Sequence, residues 1–337
     1  MIFEKHGRIK IWLISLTISA IGLVVLMALS VTSGAADIPL DTVWRAITRF
    51  DPMDSKQLLV RDMRIPRALS GALIGAALAV AGAIMQGMTR NPLADSGLMG
   101  LNAGAGLFLA LALVLLKDVS YYGIIWLTFL GAALGAGCVS LLRTLIPGGE
   151  QPIKLVLAGA TISTLFSAVS QAIAITTNSS QSILFWTMGS VSGTTWNQLR
   201  AAGPFLILCV LLAVFISRDI SIMNMGEEVA KGLGINLKRT RRIGTLAVVI
   251  LSGASYALCG SISFVGIIIP HFVRFQVGPD YRLVIPLSAL QGGLLVVLAD
   301  YLAKTIDRPA EFPLGALISL VGVPVFLYYA RKEKVGK

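Results

Sequence analysis

Three arginines fall within seven positions in RDMRIPRALSG, residues 61–71. Guanidinium groups suit one chemistry above others, the forked grip of carboxylates or phosphates. Arg64 and Arg67 flank Pro66 at the mouth of a long apolar run, where their partners could be local acids such as Asp62 or lipid phosphates. Other reactive types are sparse. His271 has no second histidine or carboxylate at helical spacing and the other histidine is His6, so a structural histidine and no metal site are expected. Cys138, Cys209 and Cys259 lie inside apolar runs at spacings that fit no metal or redox pattern, as small packing residues would. No G-x-x-x-x-G-K-[ST] loop is present, so the chain does not hydrolyse ATP itself, and no cofactor motif stands out. An intramembrane enzyme finds no H-E-x-x-H or G-x-S-x-G; GASYA (253–257) is only a near miss. An ion-coupled secondary carrier would need ionisable groups near the midplane, yet the spans are free of charge and only Asp300 approaches one.

The elements that must hold these residues are set by composition. Of 337 residues, 55% are hydrophobic and 13% charged, about half the charged share of a soluble domain. Mean hydropathy is +0.81. The 34 glycines suit close helix packing in lipid. These values define an all-α, polytopic membrane protein. The net charge of +11 sits in short loops between apolar spans, which marks topology and not nucleic-acid binding.

Runs free of Asp, Glu, Lys and Arg cover residues 11–36, 68–89, 96–116, 119–142, 155–199, 201–217, 243–273, 283–299 and 312–330. A span needs about 20 residues. The apolar stretch at 11–36 is too long for a secretory signal core and reads as a retained first span. Both termini are basic, so the positive-inside rule places both in the cytoplasm and requires an even number of crossings. The run 243–273 would make one helix of about 46 Å, so it must break, with Gly260, Gly266 and Pro270 as candidate breakers. The second part of 155–199 is polar and suits a short re-entrant or surface helix. Ten crossings result. The cytoplasmic side then carries most of the net positive charge, but 37–67, with Arg61, Arg64 and Arg67, lies outside against the trend.

One loop has internal signals of its own. Residues 218–242, RDISIMNMGEEVAKGLGINLKRTRR, open a helix with Glu227 and Glu228 and close it with Lys231. Gly234 can stop that helix and Asn236 can cap the next. Exposed Met223, Met225, Val229 and Leu233 would leave apolar surface for a partner.

The segment RIPRALSGALIGAALAVAGAIMQGMTRNPLADSGLMGLNAGA (64–105) resembles the FecCD permeases, membrane subunits of ABC importers for iron–siderophore complexes, haem and vitamin B12. The resemblance continues through KLVLAGATIS (154–163), MNMGEEVAKGLGI (223–235), GSISFVGIIIPHFVR (260–274), LADYLAK (298–304) and RPAEFPLGALISLVGVPVFLYY (308–329). It implies a type II ABC importer permease fold of about ten transmembrane helices, with residues 1–337 as a single permease domain in a bacterial cytoplasmic membrane. The substrate it implies first is an iron(III)–siderophore complex, with haem or cobalamin as alternatives. The partners it implies are a separate ATPase subunit, an extracytoplasmic substrate-binding protein (lipid-anchored or periplasmic) and a second permease subunit, identical or similar.

By the same resemblance, Arg64 and Arg67 dock glutamates of the binding protein. A third docking position falls on Lys304, where the family usually has arginine, and Arg308 lies near enough to share the role. Charge reversal at Arg64 or Arg67 should then impair import without lowering expression. Asn91, Pro92 and Leu93 form a cytoplasmic gate, with Gln151 and Ile153 in its companion loop. Met225, Glu227, Glu228, Lys231 and Gly234 couple to the ATPase, and Ser163, Asn178, Ser179 and Ser180 line the translocation path.

Overall fold

A computed structural model describes the chain apart from residues 1, 35–36, 98–99, 117–118, 146–151, 178–182, 184–185, 309 and 336–337. Every regular element among the described residues is a helix. The apolar runs become α1 (Ile2–Thr32), α4 (Ile65–Thr89), α5 (Leu101–Leu115), α6 (Tyr121–Leu145) and α7 (Pro152–Thr176). They continue as α8 (Trp196–Asn224), α10 (Leu237–Cys259), α11 (Val265–Val277), α12 (Tyr281–Ala303) and α13 (Leu314–Val335). Short helices α2 (Leu40–Thr48) and α3 (Ser55–Leu59) precede α4, and α9 (Glu227–Gly232) sits between α8 and α10. Seven of these helices are long and apolar enough to cross a membrane, and Leu101–Leu115, Val265–Val277 and Leu314–Leu327 are shorter apolar ones.

Burial orders the bundle. α4 is its most enclosed helix, packed against α12, α8, α10 and α11. The contact with α12 is a meeting of backbones: a Cβ on Gly75 would stand 2.1 Å from the Gly292 carbonyl oxygen. Small residues there let two helices approach closely enough for dispersion to act along their length. α1 is the opposite case, with apolar side chains such as Ile18, Ile21 and Val24 at least 60% exposed, as a lipid-facing helix requires. It is tied to α12 by the Trp12 indole, which donates to the Leu283 carbonyl at 3.1 Å.

The run 243–273 breaks, though not at all three expected places. α10 ends where Gly260 adopts φ +72°, a site where a Cβ would meet the Trp186 carbonyl oxygen at 1.9 Å. Phe264, at φ +70°, starts α11. Gly266 and Pro270 both lie within α11 and do not interrupt it. The chain thus returns through a 13-residue half-helix whose first turn lies beside mid-α4: a Cβ on Gly82 would stand 2.1 Å from the Gly266 carbonyl oxygen.

Candidate functional site

The arginine stretch occupies one turn of π-helix, Val60–Arg64, where the Ile65 N–H reaches back to the Val60 carbonyl. Such turns recur at functional positions because they rotate the following side chains out of α-helical register. Arg64 donates from Nη1 to the Val31 and Thr32 carbonyls, both at 2.8 Å, and so closes the open end of α1. Arg67 is gripped on two sides. Asp300 of α12 accepts from it at 2.8 and 2.9 Å, and Glu311 at 2.7 and 3.0 Å. Lys304 is only 6% exposed; its ammonium donates to the Ser30 carbonyl and hydroxyl and stands 3.8 Å from Asp300. Burial pushes that ammonium down to about 8, against the pull of Asp300. Arg308 is more open and pairs with Asp37 at 3.1 Å. The structure thus brings Arg64, Arg67, Lys304 and Arg308 to one end of the bundle. Their first partners are carbonyls and acids far away in sequence, while the nearby Asp62 is exposed. Reversing Arg67 would set three carboxylates together, so the expectation of unchanged expression does not fit this geometry.

At the opposite end, local signals and structure coincide. α9 closes with the Ile235 N–H on the Ala230 carbonyl and the Gly234 N–H on the Lys231 carbonyl, both at 3.0 Å, with Gly234 at φ +76°. That pairing needs a left-handed residue, which is why glycine stands there. The Asn236 side chain then caps α10 by accepting from the Arg239 N–H at 3.0 Å. Glu227 and Glu228 begin α9 and Lys231 lies in its last turn. Arg241 hydrogen-bonds Glu227 and holds its carboxyl below the usual carboxylate range, helped by Arg90 and Lys231. Met225, Val229 and Leu233 are exposed at 70%, 46% and 62%. Two details differ from expectation. α8 runs on to Asn224 and α10 starts at Leu237, so the connection proper is shorter than 218–242. Met223 is 3% exposed and belongs to the core.

Between the two ends lie the turn at 90–97 and a cavity. α4 stops at Arg90, held at φ +52°, and the Asn91 side chain accepts from the Leu93 N–H at 3.0 Å in a tight turn that Pro92 favours. Gln151, Asn178, Ser179 and Ser180 lie outside the described residues, as does the side chain of Ile153. Ser163 is described and opens onto a cavity of about 530 Å³. Its walls include Ser167, Ser170 and Gln171 of the same helix, Asn102 of α5 and Tyr256 of α10, none of them charged. Sequence reasoning missed these partners, although polar residues at 163, 167, 170 and 171 repeat with helical period inside an apolar span. It also missed Asp95, which folds back beneath α4 and is 3% exposed, and Arg274, whose guanidinium reaches Gln86 inside the bundle. Charge is therefore absent from the apolar runs but not from the interior. Among the described residues no group of three or more His, Cys, Asp or Glu side chains could hold a metal ion.

A bundle of this kind, with broken helices, a polar cavity and opposite ends of unlike chemistry, defines a multi-pass membrane permease. A family model described as the FecCD transport family matches residues 22–332, and the chain belongs to that family. It is 44% identical over 308 residues to the iron(3+)-hydroxamate import system permease protein FhuB of Bacillus subtilis (strain 168), covering 91% of this chain and 80% of that one. It is 40% identical over 331 residues to the Fe(3+)-citrate import system permease protein YfmD of the same organism, covering 98% and 97%. Among solved structures, an inward-facing metal-chelate-type ABC transporter superposes with a TM-score of 0.79 at 27% identity, covering 94% of this chain and 98% of that one. The fold is the type II ABC importer permease fold.

Proposed function

We propose that the chain is the membrane permease of an ATP-driven importer that carries an iron(III)–siderophore complex into the cell. The observation that carries this reading is the uncharged polar cavity along α7, from Ser163 to Gln171, in a chain 40–44% identical to permeases named for ferric chelates. A lining of hydroxyls and amides lets a large chelate pass without holding it as ion pairs would. Haem or cobalamin is the alternative cargo. The Gly234 end faces the cytoplasm, as its basic residues require under the positive-inside rule, and both termini lie on that side. There α9 seats in the ATPase subunit through Met225, Val229 and Leu233, and Asn91, Pro92 and Leu93 close the path. Gln151 and Ile153 complete that gate, and Asn178, Ser179 and Ser180 continue the path. At the other face Arg64, Arg67, Lys304 and Arg308 form the landing surface for a substrate-binding protein, with Arg308 the most open of them. A second permease subunit completes the pathway.

The test is reconstitution of the permease in liposomes with its ATPase and binding protein, measuring uptake of radiolabelled iron chelates, haem and cobalamin. ATP-dependent uptake of a ferric siderophore, lost with a phosphate-loop variant of the ATPase, is the expected result. Uptake of haem or cobalamin alone would move the cargo assignment. Uptake driven by a proton or sodium gradient without the ATPase would sink the reading altogether.

A further inference from the structure

A series of buried and half-buried contacts runs from the end of α8, next to α9, to the turn at 90–97. Ser221 lies in the last turn of α8. Its hydroxyl donates to Asp280 at 3.0 Å and accepts from the Tyr281 N–H at 2.7 Å. The Arg274 guanidinium of α11 acts on the Tyr281 hydroxyl, and Arg274 donates onward to the Gln86 side-chain oxygen. Gln86, 1% exposed on α4, donates its amide to the Gly266 carbonyl at 2.7 Å. That carbonyl is available for a physical reason: Pro270, four residues on, has no N–H to bond it.

Gly266 is also where the returning loop arrives. A Cβ there would stand 2.2 Å from an Asp95 carboxyl oxygen. Asp95 accepts from the Gly97 N–H at 3.1 Å and lies beside the backbone N–H groups of Ser96 and Phe264, the last being the residue that opens α11. A carboxylate matches that arrangement because the first N–H groups of a helix have no partner within it and carry the positive end of its dipole. Gly82 abuts Gly266 seven residues above the end of α4, so the loop re-enters the bundle by about 10 Å before α5 begins. At its other end the loop starts at Arg90, whose charge acts on Glu227 of α9.

We infer that Asp95 is a positioning residue that fastens the loop 90–97 to α11, so that the two move as one body driven from the α9 end through Ser221, Tyr281, Arg274 and Gln86. This rests on the proposed assignment of α9 to the ATPase contact and of residues 91–93 to the gate. α11 is suited to the part. It is a short helix with a non-helical segment, 260–264, before it and Gly278 at φ +83° after it, so it can shift without bending a full span.

Two measurements on the complete transporter in liposomes decide it. A Cβ on Gly97 would lie 3.1 Å from the Ser263 hydroxyl oxygen, within reach of a disulfide between Gly97→Cys and Ser263→Cys. If loop and α11 move together, the oxidised double variant imports at a rate within about twofold of its reduced form, less than the smallest usual coupling effect. Import that stops on oxidation and returns on reduction overturns the single-body inference. The second measurement follows thiol labelling of Leu93→Cys with and without nucleotide, in the parent and with Asp95→Asn or Gln86→Leu added. A nucleotide response of about fivefold or more in the parent should fall towards none in both variants while ATP hydrolysis continues. A response preserved in both overturns the relay. A parent that ignores nucleotide overturns the gate assignment itself, and the relay with it. Where Asp95→Asn does not assemble, Gln86→Leu carries the same decision.

Discussion

The two ends of the bundle use charge in opposite ways. At the Arg64 end, cations are turned inward and satisfied: Arg67 is divided between Asp300 and Glu311, and Lys304 is almost sealed against Ser30. At the Gly234 end, Glu228 and Lys231 point into solvent and the apolar Met225, Val229 and Leu233 stand open beside them. The difference teaches that a cluster conspicuous in sequence can be largely internal. A partner at the Arg64 end meets a pre-paired lattice and gains by adding to it or displacing an acid. A partner at the Gly234 end meets uncovered apolar surface and gains by burial.

The largest effect that would sharpen this contrast is Arg67→Glu. It leaves Asp300 uncompensated on that side and adds a like charge, a change on the order of 3–5 kcal/mol for a broken buried pair. Yield and thermal stability of the purified permease should both fall, and a variant that expresses and melts like the parent would show the pairing to be slack. Gly234→Val comes next. Its φ of +76° excludes a β-branched residue, yet no atom lies within 4 Å of the added Cβ, so the strain of about 1–2 kcal/mol stays local. Membrane insertion should persist while ATP hydrolysis by the assembled complex loses its link to import; normal import per ATP would count against α9 as the coupling element.

Smaller still is Arg308→Glu. The Arg308–Asp37 pair is open to solvent at 36% and 71%, so its loss should cost under about 1 kcal/mol of stability. Binding-protein affinity is the sensitive measurement here, and it should drop without a change in melting. Equal binding by parent and variant would remove Arg308 from the landing surface. Last is a pH effect at Lys304. Its folded pKa of about 8 lies below the ordinary 10.5, so the unfolded chain holds the proton over that interval and the folded one does not. Stability from this group therefore rises between about pH 8 and 10.5 and is flat below. Melting curves of the parent and Lys304→Met across that range should converge at the alkaline end, and parallel curves would refute it.

What was legible in the sequence was whatever the chain settles within a turn or two of itself. Charge-free runs marked the spans, because lipid admits no unpaired backbone and few charges. Gly234 and Asn236 announced a helix stop and a helix cap, because those bonds close over five residues or fewer. Even the break in 243–273 was visible, although Phe264 in a left-handed conformation took the place expected of Gly266 and Pro270.

Only the tertiary structure decided who answers the charges. Arg67 meets its carboxylates 233 and 244 residues away, Gln86 meets Gly266 across 180, and Asp95 finds a helix N-terminus that begins at residue 265. Met223 went to the core while Met225 stayed outside, two residues apart in one sequence context. Composition and periodicity determine that a segment is helical and crosses the bilayer, because backbone hydrogen bonds and lipid act on each residue separately. They leave open which faces meet, because that depends on the shapes of helices distant along the chain, and the partners of every buried polar group follow from that choice.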